Sequence, residues 1–247
     1  MLSRPGEITR RHDPDRFLTA LFAPPVARET LFVLYAFNHE LARAREAARE
    51  PAMALLRLQW WREVAEGERR PAHEVATGLA AALDGGRLAR ADLLAMVDGR
   101  EAEAGEGSAP ETLEDWRGYV LATAGGVAVA AARALGAERD TLATARAYGA
   151  AYGAAGILRH GAALAARGKA VLPPGDDTAA VLRTEGRRWL AEGDALQRGS
   201  GRVQRAVLSA VLVATLARRD LRRAGDERPR GLSDRLAVIA AYGSGRP

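Results

Sequence analysis

Residues 113–136 read LEDWRGYVLATAGGVAVAAARALG. The stretch is built from good helix formers and small residues, with none of the strict apolar–polar alternation of a half-buried strand. It follows GEGSAPE at 105–111, where Gly, Ser and Pro cluster as in a loop, and it ends at Gly136. Side chains this small let a neighbouring helix come close, so the segment belongs at the centre of a helical bundle.

The rest of the chain reads the same way, because Ala, Leu, Arg and Glu dominate almost everywhere. Helices are predicted over 15–23, closed by Pro24 and Pro25, and over 27–49, with Leu31, Leu34, Tyr35, Asn38 and Leu41 forming the buried stripe. Pro51 starts a helix that runs through LLRLQWWREVAEG to Gly67. Further helices are expected over 73–83, 89–104, 113–136, 138–166, 176–198, 203–223 and 231–241. RGKAVLPPGD at 167–176 reads as an extended linker, since Pro173 disfavours helix at Leu172. The fold class is all-α. One helical domain is expected over 1–247, with short flexible ends at about 1–13 and 242–247.

Composition excludes several kinds of chemistry. There is no Cys, which rules out disulfides, thiolate metal sites and Cys nucleophiles. The four His, at 12, 39, 73 and 160, show no zinc-binding spacing. Lys plus Arg exceeds Asp plus Glu by only 36 to 31, and Lys169 is the only Lys. With no basic stripe and few aromatics, no nucleic-acid partner is expected. No apolar run reaches membrane-spanning length, and Glu7, Asp13 and Asp15 argue against a transit peptide. A cytoplasmic protein is expected, with peripheral contact at the inner membrane left open.

Two segments carry residues suited to a site. YAFNHELARAR at 35–45 places Asn38, His39, Ala42, Arg43 and, one turn on, Glu46 along one helix, a donor-rich surface and a poor magnesium site. AYGAAGILRHGAALAARGKAVLP at 151–173 supplies Arg159, His160, Arg167 and Lys169 with no acid between Asp140 and Asp176, which reads as an anion site or as a solvated face favourable to the helix dipole.

These two segments, with LRLQWWREV at 56–64 and the 113–136 stretch, together resemble the squalene and phytoene synthase family in order and spacing, over about residues 15–223. The resemblance implies an all-α, isoprenoid synthase-type bundle around a deep cavity in which two prenyl diphosphates are joined head to head. It also implies two aspartate-rich motifs that hold magnesium and diphosphate. In this sequence the aspartate places of the first motif are Ala42 and Arg43, and those of the second are His160 and Leu164. Mg²⁺ prefers oxygen ligands, so the usual coupling chemistry is not expected and no cofactor is assigned.

The same departure resembles a divergent branch of the family that includes mitochondrial assembly factors of the respiratory NADH dehydrogenase; Asn38 and the LRLQWW element carry the likeness. The resemblance therefore implies a non-catalytic protein acting through a protein partner in assembly or stability of a membrane-associated respiratory complex, and the lack of a clear transit peptide with a composition rich in Ala, Arg and Gly points to a bacterial relative. The alternative is a prenyl diphosphate-binding protein or transferase, using magnesium, that has moved ligand handling onto Glu46, His160 and the arginines. Trp60 and Trp61 read as packing anchors or as a prenyl-chain wall, and Gly125 and Gly126 as close helix contacts or cavity lining. Asp98-Gly99-Arg100 lies where the resemblance implies an Asp-containing turn. ARRDLRR at 217–223, beside Leu212, Leu216 and Leu221, reads as a charged helix face or as a surface for an anionic membrane or a partner.

Overall fold

The computed structural model describes residues 1–46, 48, 50–102, 104, 110–166, 177–201, 203–223 and 230–247, with the side chains of all of these except 162, 165, 166 and 200. Among them every regular element is a helix. The first of these corrects the sequence reading, which places 1–13 in a flexible end. Helix α1 (Arg4–His12) starts at Ser3, whose hydroxyl accepts from the Gly6 N–H at 3.1 Å, and Pro5 sits in its first turn. Arg10, Arg11 and His12 complement the negative end of its dipole. Buried Thr9 sets its hydroxyl 3.0 Å from the Phe32 carbonyl, which ties the helix to the core.

Helix α2 (Pro14–Ala20) is capped by Asp13, which accepts from the backbone and the guanidinium of Arg16 at 3.0 and 2.8 Å. Helix α3 (Pro25–Glu46) is buried without interruption from Thr30 to Phe37, so it is enclosed on all sides in its middle and not merely along one stripe. Helix α4 (Pro51–Glu66) begins with Pro51 in its first turn and stops at Gly67, whose φ of 85° is a left-handed cap that a side chain would strain. Trp61 is buried there, edge-on to Phe37 at 5.4 Å and to Trp60 at 4.7 Å, and both Trp rings lie edge-on to His73. The tryptophan pair thus closes α4 onto α3 and the start of α5 (Glu74–Asp84).

Helix α6 (Arg90–Glu101) contains Asp98-Gly99-Arg100, so this tripeptide is helix and not a turn. Gly99 allows close approach: a Cβ there would lie 3.2 Å from the Ala122 methyl. The 113–136 stretch is helical but not continuous. Helix α7 (Leu113–Val120) passes through a π-turn at Leu121–Gly125 into α8 (Gly126–Ala134). Thr123 turns its hydroxyl back onto the Tyr119 carbonyl at 2.8 Å, competing with the backbone ladder where it widens.

The longest helix, α9 (Arg139–Ala166), packs along α10 (Thr178–Ser200) and crosses the π-turn closely. A Cβ on Gly149 would stand 2.6 Å from the Ala128 methyl and 2.7 Å from the Ala124 carbonyl; on Gly153 it would stand 2.6 Å from the Ala124 methyl. Gly149, Gly153 and Gly125, whose Cβ would lie 3.2 Å from Arg146, therefore serve close helix contact, whereas a Cβ on Gly126 would meet nothing within 4 Å. Trp116 of α7 and Trp189 of α10, both buried, stack obliquely with centroids 5.5 Å apart, and Arg117 grips the buried Glu185 with two bonds of 2.9 and 2.7 Å. The expected helix over 203–223 is divided at Leu212 into α11 (Leu208–Val211) and α12 (Val213–Arg222). The last helix, α13 (Leu232–Ser244), runs past 241 to a left-handed Gly245 and packs against α12.

Candidate functional site

The α3 residues read from sequence lie where that helix leaves the core. Asn38 accepts from Arg100 of α6 at 3.4 Å, and Arg100 also donates to the Tyr119 hydroxyl at 3.2 Å. The His39 ring stacks on His12 of α1, with centroids 4.0 Å apart and planes 13° from parallel. Burial pushes the His39 pKa down to about 4, with the neighbouring His12 and Arg43 adding to the effect. His12 moves in the same direction, again chiefly through burial. A pair of rings this close disfavours two charges at once, and His39 stays neutral near pH 7. Arg43 lies 3.4 Å from Glu40, Ala42 presents only a methyl group, and Glu46 is exposed in the last turn.

The α9 residues face other partners. Arg159 donates through Nε to His160 Nε2 at 3.2 Å and sets Nη1 3.5 Å from Asp15 Oδ2, within ion-pair range but outside hydrogen-bond geometry. Leu164 is partly buried and His160 exposed. Arg167 and Lys169 lie outside the described residues. The two groups are thus tied to different neighbours, the α3 set to α1 and α6, the α9 pair to α2.

Asp15 is the residue the sequence reading passed over. It sits at the start of α2, where an acid is expected for the helix dipole alone, and its side chain is 5% exposed. Arg230, 215 positions away, donates to it through Nε at 3.0 Å and Nη2 at 2.8 Å, and grips Asp220 of α12 at 2.6 and 2.7 Å. The Tyr152 hydroxyl of α9 donates to Asp15 at 3.1 Å. Burial works against the Arg230 charge, but Asp15 and Asp220 outweigh it and raise its pKa. Arg16 lies over the Tyr35 and Tyr152 rings, 5.8 and 5.0 Å from their centroids. The outcome is a buried, internally neutralised network that joins α2, α9 and α12.

The α12 surface read from ARRDLRR is also committed. Leu212, Leu216 and Leu221 are buried. Arg218 pairs with Asp194, while Arg219 and Arg223 each reach Asp234 at 2.7 Å. That helix turns its apolar face into the core and most of its cations onto internal acids, because α13 lies across it.

Magnesium does not fit this donor set. The ion demands oxygen ligands in near-octahedral order, and the four positions in question hold a methyl, a guanidinium, an imidazole and an isobutyl group. Among the described residues no group of three or more His, Asp or Glu is gathered to hold a metal ion.

The sequence model of squalene/phytoene synthases matches residues 9–184. The chain belongs to the squalene/phytoene synthase family. It is 33% identical over 98 residues to human NADH dehydrogenase (ubiquinone) complex I, assembly factor 6, a match over 38% of this chain and 29% of that protein. The mouse protein of the same name is 27% identical over 135 residues, 53% of this chain and 40% of its own length. The chain thus spans well under half the length of the curated relatives it matches. Two solved structures share the fold over nearly the whole chain. A dehydrosqualene synthase crystallised with ligand superposes with a TM-score of 0.77 at 15% identity, covering 97% of this chain and 94% of its own. A squalene synthase from Alicyclobacillus acidocaldarius gives 0.67 at 17% identity, covering 98% and 94%. At such identities the likeness concerns the fold, and it establishes the isoprenoid synthase-type bundle expected from sequence.

Proposed function

We propose that this squalene/phytoene synthase family member is non-catalytic and works through protein contacts in the assembly or stability of a membrane-associated respiratory complex. One observation carries the reading. Every place where the family resemblance calls for a paired aspartate, at 42, 43, 160 and 164, holds a side chain without a carboxylate. Asp15, a buried acid beside Arg159, is spent on Arg230, Tyr152 and Arg159. Diphosphate departure builds up charge that needs cationic metal held on oxygen, and these residues supply no such cage. The relatives named as complex I assembly factors direct the proposal toward a respiratory NADH dehydrogenase as partner. A bacterial cytoplasm, with peripheral contact at the inner membrane, belongs to the same proposal; among the described residues no helix is long and apolar enough to cross a membrane.

Two experiments test it. Purified protein incubated with farnesyl or geranylgeranyl diphosphate, Mg²⁺ and NADPH is expected to give no coupled product, and turnover above a heat-inactivated control would overturn the non-catalytic reading. Deleting the gene in its source is expected to lower the amount of assembled NADH dehydrogenase on native gels, with rescue by the intact chain. Unchanged assembly would remove the partner from the proposal. Calorimetry with inorganic diphosphate and farnesyl diphosphate addresses the prenyl-binding alternative, for which saturable heat lost in Arg159→Ala would be the signature.

A further inference from the structure

Helix α13 faces the opposite way to an ordinary surface helix. Its inner side carries Asp234, 1% exposed, together with Val238 and Ala241, while Leu232, Leu236 and Ile239 are 72%, 53% and 50% exposed. Steps of four and three residues put these three side chains on one face, and the exposed Ala240 and Gly243 fall beside them. Surface helices usually bury the apolar stripe and expose the charge.

Ion pairing holds this orientation. Asp234 receives Arg219 and Arg223 from α12 at 2.7 Å each, and accepts from the Gly231 N–H at 3.1 Å. Burial would raise the Asp234 pKa, but the two guanidiniums outweigh it and hold the carboxyl well below the usual range. Arg218 reaches the Pro247 carbonyl at 3.3 Å beyond the other end of the helix. Phe22 and Tyr242, with ring centroids 4.8 Å apart, close the helix onto the end of α2. The apolar face is therefore held rigidly outward and is not a loosely attached end.

The stretch of sequence that ends in this helix is rich in arginine. Residues 203–247 contain nine Arg against four acids, a net +5 that equals the formal charge of the entire chain. The two described acids of this stretch, Asp220 and Asp234, are buried and paired. Arg222, Arg235 and Arg246 are exposed and have no acidic partner among the described residues, and Arg235 borders the Leu232–Leu236–Ile239 face. An outward apolar face with an exposed arginine at its edge matches an anionic interface with a hydrocarbon layer beneath it.

We propose that the outer face of α13, formed by Leu232, Leu236 and Ile239 with Arg235 at its edge, docks the protein on an anionic lipid bilayer. The helix lies in the plane of the interface, its aliphatic side chains among the upper acyl segments and its arginines at the phosphates. This docking gives the peripheral membrane contact of the proposed function a named surface, and it does not depend on the role in assembly.

The test is co-sedimentation of the full-length protein with vesicles of phosphatidylcholine alone, or of phosphatidylcholine mixed with phosphatidylglycerol. Partition onto the mixed vesicles that weakens as salt is raised is expected. Leu236→Glu combined with Ile239→Glu should lower the partition coefficient about tenfold or more, from the loss of two inserted aliphatic side chains. Arg235→Glu should lower binding to the mixed vesicles several-fold. Circular dichroism and Tm are expected to match the parent, because all three positions are exposed. Failure to bind the mixed vesicles, or equal binding by the double variant, overturns the proposal. So does a purified dimer that the double variant converts to monomer without any vesicle binding, since the face would then join two copies of the chain. Each of these failures leaves the assembly reading standing, because no respiratory subunit is present in the assay.

Discussion

Arg159 of α9 and Asp15 of α2 face each other with Nη1 3.5 Å from Oδ2, and the same carboxylate oxygen accepts from Arg230 at 2.8 Å. An arginine next to a position where the family resemblance calls for a magnesium-binding acid thus looks inward to a structural carboxylate. Arg159 thereby helps tie α9 to α2.

Removing Arg230 leaves Asp15 and Asp220, 5% and 6% exposed, as like charges without their principal partner. Arg230→Ala is expected to cost about 3–5 kcal/mol, the range for breaking a buried pair from one side. Urea unfolding measures it. A double-mutant cycle with Asp15→Ala should return a coupling above about 1 kcal/mol, and additivity of the two changes would show that the contact carries no energy.

The stacked histidines imply a pH dependence. His39 has a folded pKa of about 4, below its unfolded value of roughly 6.5, so it favours the neutral ring in the folded state. Its contribution is complete above about pH 6.5 and is lost as pH falls from there toward 4. Tm recorded across this window should fall for the parent and fall less for His39→Gln. Identical profiles would disprove the assignment.

Magnesium gives a third check. With no carboxylate at 42, 43, 160 or 164, millimolar MgCl₂ is expected to leave Tm unchanged relative to the same ionic strength of NaCl, since only a ligand that prefers the folded state raises it. A magnesium-specific rise would reveal an ion site built from other residues.

Glycine replacements in α9 should split by sign. Gly149→Ala drives a methyl to 2.6 Å from the Ala128 methyl and 2.7 Å from a carbonyl oxygen, and should destabilise by about 1–3 kcal/mol. Gly156→Ala meets nothing within 4 Å in the same helix and should stabilise by about 0.5–1 kcal/mol through the unfolded chain and helix propensity. Chemical denaturation of the two variants side by side decides it.

Much of this molecule was legible before its structure. The helix formers, Pro51 and Gly67 place α4 within a residue, and the motif order identifies the bundle, because caps and periodicity act locally. The four vacated aspartate positions are equally plain, since a missing carboxylate needs no coordinates to be noticed. Other features were hidden for physical reasons. The π-turn lies inside a good helical pattern that gives no local signal of it. Helix α1 is short and strongly charged, and it is secured by a Thr9 contact to α3 that no local rule foresees. The pairing of Asp15 with Arg230 spans 215 positions, and an aspartate in a first helical turn already has a sufficient local explanation. The sense of α13 could not be read: only the structure shows Asp234 turned inward onto Arg219 and Arg223 and the three aliphatic residues turned outward. The sequence by itself determined the class of fold, its family and the loss of the acidic motifs, all of which follow from residue identity and near-neighbour spacing. The tertiary structure decided which charges neutralise one another and which apolar face is left to solvent, because ion pairing and burial are properties of what meets across the bundle.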